Sequence, residues 1–156
     1  MYNLLIVEDE NIERRALRYI IENKINNINI CDEAKSGLEA IKMAKNNSPD
    51  IILMDVEMPE LNGLDAQKEI IKFLPNVHTI ILSAYDDFAF TQSAIRIKVI
   101  DYLLKPIRPN DLIESINRSI SLINTQNVRV ISDKQDDTLI KEAMKYIDEN
   151  YNTYIS

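Results

Sequence analysis

Short apolar runs alternate with segments of helical periodicity along most of this chain. Five runs have the length and the enrichment in branched apolar side chains that are typical of β-strands: Tyr2–Val7, Ile28–Ala34, Ile51–Met54, Thr79–Leu82 and Tyr102–Leu104. The third run is apolar throughout, as expected of a central strand that helices cover on both faces. Strands that alternate with helices build a parallel sheet, so the pattern predicts an α/β fold.

Between these runs, polar residues and a proline indicate where helices begin. Ser36 and Glu39 form a capping box ahead of a helix that is predicted to end near Asn46. Later helices are predicted to begin at Asn62, at Asp86 or Asp87 (ending near Ile97) and at Pro109 (ending near Asn124). In the first helical segment, apolar residues recur at helical spacing: Ile12, Ala16, Leu17, Ile20 and Ile21. In the second and third segments, the apolar residues are predicted to face the core: Leu38, Ile41 and Ala44, then Leu64, Ile70, Ile71 and Leu74.

The remainder of the chain changes character. Residues 1–124 hold the five strand–helix units, whereas residues 125–137 are rich in Asn, Gln, Ser, Lys and Asp and are predicted to form a linker. From Thr138 one further amphipathic helix is predicted. A single amphipathic helix cannot bury its own apolar stripe, so it would either pack on a partner or open a second domain. We expect residues 138–156 to be the start of a truncated domain.

Composition narrows the class of protein. The chain has 156 residues, a net charge of −7 and 46% hydrophobic residues. An acidic balance argues against a nucleic-acid surface on this stretch, and no apolar run approaches the roughly 20 residues needed to cross a bilayer. Cys31 is the single cysteine of the sequence, and we expect no signal peptide because strand-like sequence begins by Leu4. We therefore expect a cytoplasmic protein without a membrane partner. His78 stands where the fourth strand begins, and we expect it at the surface.

Polar residues stand where four of the apolar runs stop. Glu8 and Asp9 follow the first run, Asp55 the third, Ser83 the fourth and Lys105 the fifth. In a parallel α/β sheet the carboxyl ends of the strands form the ligand crevice. Three carboxylates gathered there require a cation, while a hydroxyl and an ammonium suit a phosphoryl group. The sequence therefore predicts a site for both at this edge.

The first of these turns decides which cation is expected. A flavin-binding domain would place a small, uncharged loop there to hold a phosphate, whereas Glu8-Asp9-Glu10 repels a bare phosphate. Acidic side chains instead suit a hard cation, and Mg²⁺ is the natural choice. In the flavodoxin-like strand order 2-1-3-4-5, the first and third strands are neighbours. Asp9 and Asp55 would then lie side by side and share one ion.

These residues and five short motifs resemble the receiver domain of bacterial two-component response regulators. The motifs cover about residues 2–124 and occur in the family's order: Glu8-Asp9, Asp55 with Met58-Pro59, Leu61-Asn62-Gly63, Ser83-Ala84, and Asp101-Tyr102-Leu103-Leu104-Lys105-Pro106. The resemblance implies a doubly wound, flavodoxin-like (βα)5 fold, followed here by a C-terminal helical extension. It also implies a signalling protein that catalyses only its own phosphorylation and dephosphorylation, not an enzyme.

The resemblance assigns roles to the acids. Asp55 would accept a phosphoryl group from a phosphohistidine on a sensor histidine kinase. Asp9, Asp55 and the backbone carbonyl of Glu57 would hold Mg²⁺, and Glu8 would act through a water molecule. A carboxylate that attacks phosphorus needs its own charge neutralised, which a divalent cation and a lysine do by electrostatics.

The resemblance also implies a switch. Lys105 would pair with one phosphoryl oxygen and Ser83 would donate a hydrogen bond to another. Ser83 would thereby move inward and free space for Tyr102 to turn toward the core. The face formed by the fourth helix, fifth strand and fifth helix would change and favour a homodimer. The Lys105–Pro106 peptide bond would be cis.

Two positions depart from the family's pattern. Glu8 replaces a more usual aspartate, and one extra methylene still reaches a metal-bound water. Lys98 stands where many relatives end the fourth helix with glycine, and a non-glycine residue with positive φ is strained by about 1 kcal/mol. This second departure affects the predicted dimer face.

The tail carries a second resemblance. Residues Leu139–Tyr151 are similar to the opening helix of an AraC-type helix-turn-helix domain. A plain amphipathic linker helix that extends a dimer interface is the alternative. The chain itself has no recognition helix or basic face, so DNA would be bound only through a C-terminal domain largely absent here.

Two other functions compete with the phosphoacceptor. A Mg²⁺-dependent aspartyl-phosphate hydrolase also uses an aspartate at a strand end, but it places a second aspartate two residues later, where this chain has Glu57. A receiver-like interaction module without phosphorylation would lack an acid or the lysine, and this chain lacks neither. The kinase, the stimulus and the regulated genes are not encoded in these patterns.

Overall fold

The computed structural model describes residues 1–84 and 97–132, with side chains as far as residue 126. In chain order, the elements there are β1 (Tyr2–Val7), α1 (Asn11–Lys24), β2 (Ile28–Ala34), α2 (Gly37–Asn47), β3 (Ile51–Asp55), α3 (Gly63–Ile70), β4 (His78–Ser83), β5 (Val99–Leu104) and α4 (Pro109–Ser132). The helix predicted from Asp86 or Asp87 lies outside the described residues except for Ile97 at its end. The tail helix predicted from Thr138 lies wholly outside them.

The five strands form one parallel sheet in the order β2-β1-β3-β4-β5. This is the predicted flavodoxin-like arrangement, and the α/β prediction is confirmed. β3 lies at the centre, where all five of its residues are buried. Its register places Met54 beside Val7 of β1 and Asp55 beside Leu82 of β4. The carboxyl ends of β1, β3 and β4 therefore meet at one edge of the sheet.

β1 and β2 have the predicted bounds, whereas β3, β4 and β5 are longer than the apolar runs that predicted them, and β5 begins at Val99 rather than Tyr102. β3 ends at Asp55 rather than Met54, and β4 spans His78–Ser83 rather than Thr79–Leu82. Polar residues at strand ends still join the backbone ladder, which the apolar pattern alone does not reveal. The surface position predicted for His78 is wrong, because the residue is only 2% exposed at the start of β4.

Helix α2 begins with the predicted capping box. The Glu39 amide donates to Ser36 Oγ at 3.1 Å, and Glu39 Oε2 accepts from the Lys35 amide at the same distance. The inward position predicted for Leu38 is wrong, since its side chain is 57% exposed. The buried face carries Gly37, Ala40 and Ala44 instead, and each residue turns the helix by about 100°. A face centred on Gly37 therefore leaves Leu38 at its border.

Helix α3 is capped as predicted and is shorter than predicted. Asn62 Oδ1 accepts from the Asp65 amide at 2.9 Å. The helix ends at Ile70, so Leu64 and Ile70 are buried while Ile71 and Leu74 are half-buried in the turn that follows. Ile12 of α1 also departs from the apolar pattern, being 83% exposed.

Helix α4 begins at Pro109, as predicted, and continues to Ser132. The predicted end near Asn124 is therefore too early, and the first part of the predicted linker, residues 125–132, is helical. The chain divides into two compact units, Met1–Asn117 and Arg118–Ser156. The domain limits 1–124, 125–137 and 138–156 stay predictions.

One backbone expectation is confirmed, because the Lys105–Pro106 peptide bond is cis. Lys98, which stands where many relatives have glycine, has a φ of 61°. No helix in the described part of the chain combines the length and hydropathy that crossing a membrane requires.

Candidate functional site

The backbone draws the ends of four strands into one crevice. The Glu8 amide donates to the Ala34 carbonyl at 3.0 Å, directly after β1. The Lys105 amide donates to the Ser83 carbonyl at 2.7 Å, which continues the β4–β5 ladder past the strand. Ser83 and Lys105 are thus tied together through the main chain, and the polar residues predicted from the strand ends gather at one edge.

Both glycines of the chain lie close to backbone carbonyls between Asp55 and Leu61. A Cβ atom on Gly63 would lie 2.1 Å from the Asp55 carbonyl oxygen, and one on Gly37 would lie 2.5 Å from the Leu61 carbonyl oxygen. No side chain tolerates such contacts, so glycine permits the starts of α2 and α3 to approach the loop after β3. The sequence motifs include Gly63, but the role of Gly37 was missed, because nothing local marks a close approach from another element.

Three carboxylates meet at the centre of the crevice. One oxygen from each of Glu8, Asp9 and Asp55 lies within 4.8 Å of the other two. Glu8 and Asp55 are buried and Asp9 is half-buried. This oxygen-only set of like charges suits a hard divalent cation such as Mg²⁺. Asp9 and Asp55 are therefore neighbours, as predicted, and Glu8 joins them.

Lys105 lies beside the acids and contacts three carboxylates. Its Nζ atom lies 3.1 Å from Glu8 Oε2, 3.1 Å from Asp55 Oδ1 and 2.8 Å from Glu13 Oε2. The contacts with Glu8 and Glu13 are hydrogen bonds, whereas the orientation at Asp55 leaves an ion pair only. The Glu13 contact was missed in the sequence, where a charged residue in the first turn of a helix is an ordinary solvent-exposed residue.

Burial raises the pKa of two of the three acids, Glu8 and Asp55. Burial raises the pKa of Glu8 to about 8, with the Asp55 charge adding to the rise and Lys105 opposing it. Burial likewise raises the pKa of Asp55 to about 6, against the opposing effect of Lys105. For Lys105, burial lowers the pKa, but the carboxylates of Glu13, Asp55 and Glu8 outweigh it and raise the pKa. One ammonium therefore does not neutralise this group of acids, which favours an additional cation.

Ser83 and Glu57 form a contact of their own. Ser83 is fully buried at the end of β4, and its Oγ atom donates to Glu57 Oε1 at 2.7 Å. The Glu57 side chain thus lies beside the acid cluster rather than in it, and the metal contact predicted for its backbone carbonyl stays a prediction. Tyr102 of β5 is half-buried and packs against the apolar core.

Arg14 of α1 forms a hydrogen bond with the backbone of the turn that carries Glu8 and Asp9. Its guanidinium is buried and donates to the Glu8 carbonyl at 2.9 Å and to Asn11 Oδ1. Glu33 of β2 provides a more distant countercharge at 3.9 Å. The apolar pattern of α1 did not identify this arginine, because a charge within an amphipathic helix usually faces solvent.

Comparison with known proteins places this architecture in a family. Residues 4–117 match the response regulator receiver domain. YxjL of Bacillus subtilis, an uncharacterized transcriptional regulatory protein, is 37% identical over 111 residues, covering 71% of this chain and 50% of that protein. The transcriptional regulatory protein HptR of Staphylococcus aureus is 30% identical over 170 residues, covering 100% of this chain and 67% of HptR.

A solved structure shows the same likeness in three dimensions. The receiver domain of AraT, a response regulator from Geobacillus stearothermophilus, superposes with a TM-score of 0.75 at 35% identity, over 81% of this chain and 98% of that one. The chain spans about half the length of YxjL and two thirds of HptR. The match over most of the chain and the sheet order lead to one conclusion: this chain belongs to the response regulator receiver domain family.

Proposed function

We propose that Asp55 accepts a phosphoryl group from a phosphohistidine on a sensor histidine kinase. The observation that carries this proposal is the buried Asp55 carboxylate, ion-paired with Lys105 and grouped with Glu8 and Asp9. In the transfer, an Asp55 oxygen forms a bond to phosphorus, the nitrogen–phosphorus bond of the donor breaks, and the imidazole keeps that electron pair. The chain catalyses this step on itself and acts as a signalling protein.

Magnesium is the cation that this oxygen set fits. Asp9 and Asp55 would bind it directly with the Glu57 backbone carbonyl, and Glu8 would act through a water molecule. When bound, the ion neutralises charge on the acceptor and on the transferring oxygens. Lys105 would stabilise the same charge, since its ammonium lies 3.1 Å from Asp55 Oδ1.

Ser83 and Tyr102 carry the signal away from Asp55. Ser83 Oγ now donates to Glu57, so a phosphoryl oxygen has to replace that carboxylate as its acceptor. Movement of Ser83 would let Tyr102 turn inward. This would alter the face that includes β5 and α4, which is the fifth of the predicted helices, and would favour a homodimer. Shifting such a two-state equilibrium from 1:99 to 99:1 takes about 5.5 kcal/mol. If Ser83→Ala and Tyr102→Ala both leave phosphate-dependent dimerisation unchanged, this coupling route is wrong.

The output we propose is control of transcription. YxjL and HptR are transcriptional regulatory proteins. The whole of this chain aligns with 67% of HptR. DNA would be bound through a C-terminal domain whose opening helix resembles the AraC type, with residues 138–156 as its start. Deleting residues 138–156 should leave phosphorylation of Asp55 unchanged, because every group of the proposed site lies before residue 106.

Acetyl phosphate with Mg²⁺ tests the acceptor directly. Wild type should gain one base-labile phosphoryl group by mass spectrometry, Asp55→Asn should gain none, and a chelator should prevent the gain. Asp65→Asn is the matched control, because it makes the same change at an exposed carboxylate in the first turn of α3. Modification of Asp55→Asn to the wild-type extent would refute the assignment. Sustained hydrolysis of an added phosphate ester would instead indicate the hydrolase alternative.

A further inference from the structure

Lys105 contacts one acid that the candidate cation site does not use. Glu8 and Asp55 contact Lys105 and also belong to the group of three carboxylates that suits a cation. Glu13 contacts Lys105 at 2.8 Å, the shortest of the three distances, and is outside that group. Among the described residues, Glu13 is therefore the one carboxylate that pairs with Lys105 without also belonging to the candidate cation site.

The surroundings of the two side chains differ. The Glu13 side chain is 50% exposed, whereas that of Lys105 is 19% exposed. Water around the half-exposed Glu13 carboxylate screens the ion pair, so we expect the contact to add little to folding stability. Lysine carries its charge on a flexible four-carbon stem, and a partner that restrains the ammonium determines where that charge acts.

The demands on Lys105 change once the site is in use. Glu8 and Asp55 are the acids that the proposed function engages with the cation, and phosphorylation converts Asp55 from a free carboxylate to an acyl phosphate. Glu8 and Asp55, the two buried partners of Lys105, then interact with the cation or the phosphoryl group as well. The hydrogen bond from Lys105 Nζ to Glu13 Oε2 is a separate contact from those that Lys105 makes with Glu8 and Asp55.

We propose that Glu13 is a positioning residue that holds the Lys105 ammonium at the phosphoryl site while Glu8 and Asp55 are engaged by the cation. This inference rests on the proposed function, in which Lys105 clamps a phosphoryl oxygen. It makes a distinctive prediction: loss of the Glu13 charge matters in the magnesium-loaded protein and has little effect in the metal-free protein, where Glu8 and Asp55 still hold the lysine.

The ammonium of Lys105 provides the direct measurement. A lysine NH₃⁺ group held in an ion pair gives an observable nitrogen resonance, which disappears when the group exchanges freely with water, and Lys105→Arg identifies the signal. Glu13→Gln removes the charge and keeps the shape. Glu10→Gln removes the same charge one turn earlier, from an exposed side chain that makes no capping hydrogen bond. Mg²⁺ is added to each protein in turn.

We expect the Lys105 resonance in all metal-free proteins, its retention with Mg²⁺ in wild type and Glu10→Gln, and its loss with Mg²⁺ in Glu13→Gln. Phosphorylation by acetyl phosphate should be three- to tenfold slower in Glu13→Gln than in Glu10→Gln at saturating Mg²⁺. Retention of the resonance in magnesium-loaded Glu13→Gln would overturn the inference, as would its loss in the metal-free variant. If wild type gains no phosphoryl group, the proposed function fails, while the resonance still decides whether Glu13 holds Lys105.

Discussion

β3 and β5 deliver the two groups that meet at the site, and they do so from different surroundings. β3 occupies the centre of the sheet and every residue in it is buried, up to and including Asp55. β5 forms an edge of the sheet, and all six of its residues are half-buried or exposed. Asp55, the proposed acceptor, therefore ends a fully buried strand, whereas Lys105 follows one of the less enclosed strands.

Enclosure determines how far each strand can adjust. A strand packed on both faces cannot move without disturbing many contacts, whereas a strand at an edge, with fewer buried contacts, shifts at lower cost. β5 is held on one side by β4 and through its Asp101 side chain, which accepts from Ser115 Oγ at 2.7 Å. Under the proposed function, the acceptor Asp55 would therefore be fixed in position, while Lys105 could adjust to the phosphoryl group.

The same substitution on the two strands tests this contrast most strongly. Leu53 of β3 is fully buried, whereas Leu104 of β5 is 47% exposed. Leu53→Ala leaves a cavity and should lower the free energy of unfolding by about 4 kcal/mol, while Leu104→Ala should lower it by less than about 0.5 kcal/mol. Chemical denaturation of dilute, unphosphorylated protein measures both. Similar losses at the two positions would remove the basis for calling β5 the looser strand.

A second substitution tests the enclosure of Asp55 itself. Gly63→Ala puts a Cβ atom 2.1 Å from the Asp55 carbonyl oxygen, so α3 or the end of β3 has to shift. We expect a loss of about 3 kcal/mol in the free energy of unfolding, at the upper end for overpacking. Ala66→Gly, in the same helix and buried, removes a Cβ instead and serves as the control for helix propensity and packing. An unchanged unfolding midpoint for Gly63→Ala would show that the loop after β3 adapts freely.

The approach to β5 depends on a buried polar contact. Gln67 of α3 is fully buried, accepts from Thr79 Oγ1 at 2.7 Å and donates to the Ile97 carbonyl at 3.2 Å, two residues before β5. Gln67→Leu leaves both partners without this contact and should lower the free energy of unfolding by about 2 kcal/mol.

Amide hydrogen exchange locates the effect of that change. In Gln67→Leu, exchange should accelerate in the first residues of β5 while the centre of β3 keeps its protection. Thr79→Val is the control, because it removes the hydroxyl and leaves the Gln67–Ile97 contact in place. Equal acceleration in β3 and β5 would mean that the contact stabilises the whole sheet rather than the edge strand.

Much of the fold could be predicted from the sequence because parallel strands obey simple rules. Apolar runs locate all five strands, and the common edge of their carboxyl ends predicts that Asp55, Ser83 and Lys105 lie near one another. What the pattern could not fix was helix rotation. Leu38 was expected inside, but the close approach of Gly37 to the Leu61 carbonyl turns another face of α2 inward.

The parts of the site that were missed depend on side chains meeting across the fold. Glu13 and Lys105 are separated by 92 positions in the chain, and their contact requires the rotation of α1, the path after β5 and two side-chain rotamers to agree. The hydrogen bond between Ser83 and Glu57 likewise follows from rotamers that no spacing encodes. Strand ends define where a site lies, whereas its internal pairing is decided by packing.

The smallest expected effect concerns the stability of Glu13→Gln. The Glu13 side chain is half exposed, so its ion pair with Lys105 is screened by water, and the metal-free variant should unfold within about 0.5 kcal/mol of wild type. Chemical denaturation in a chelator measures this, with Glu10→Gln as the charge-matched control. A loss above about 1.5 kcal/mol would mean that Glu13 helps to fasten the segment after β5 to α1, and Lys105 would then be less adjustable than the contrast with β3 implies. A negligible loss together with slower phosphorylation would separate positioning from folding in this one carboxylate.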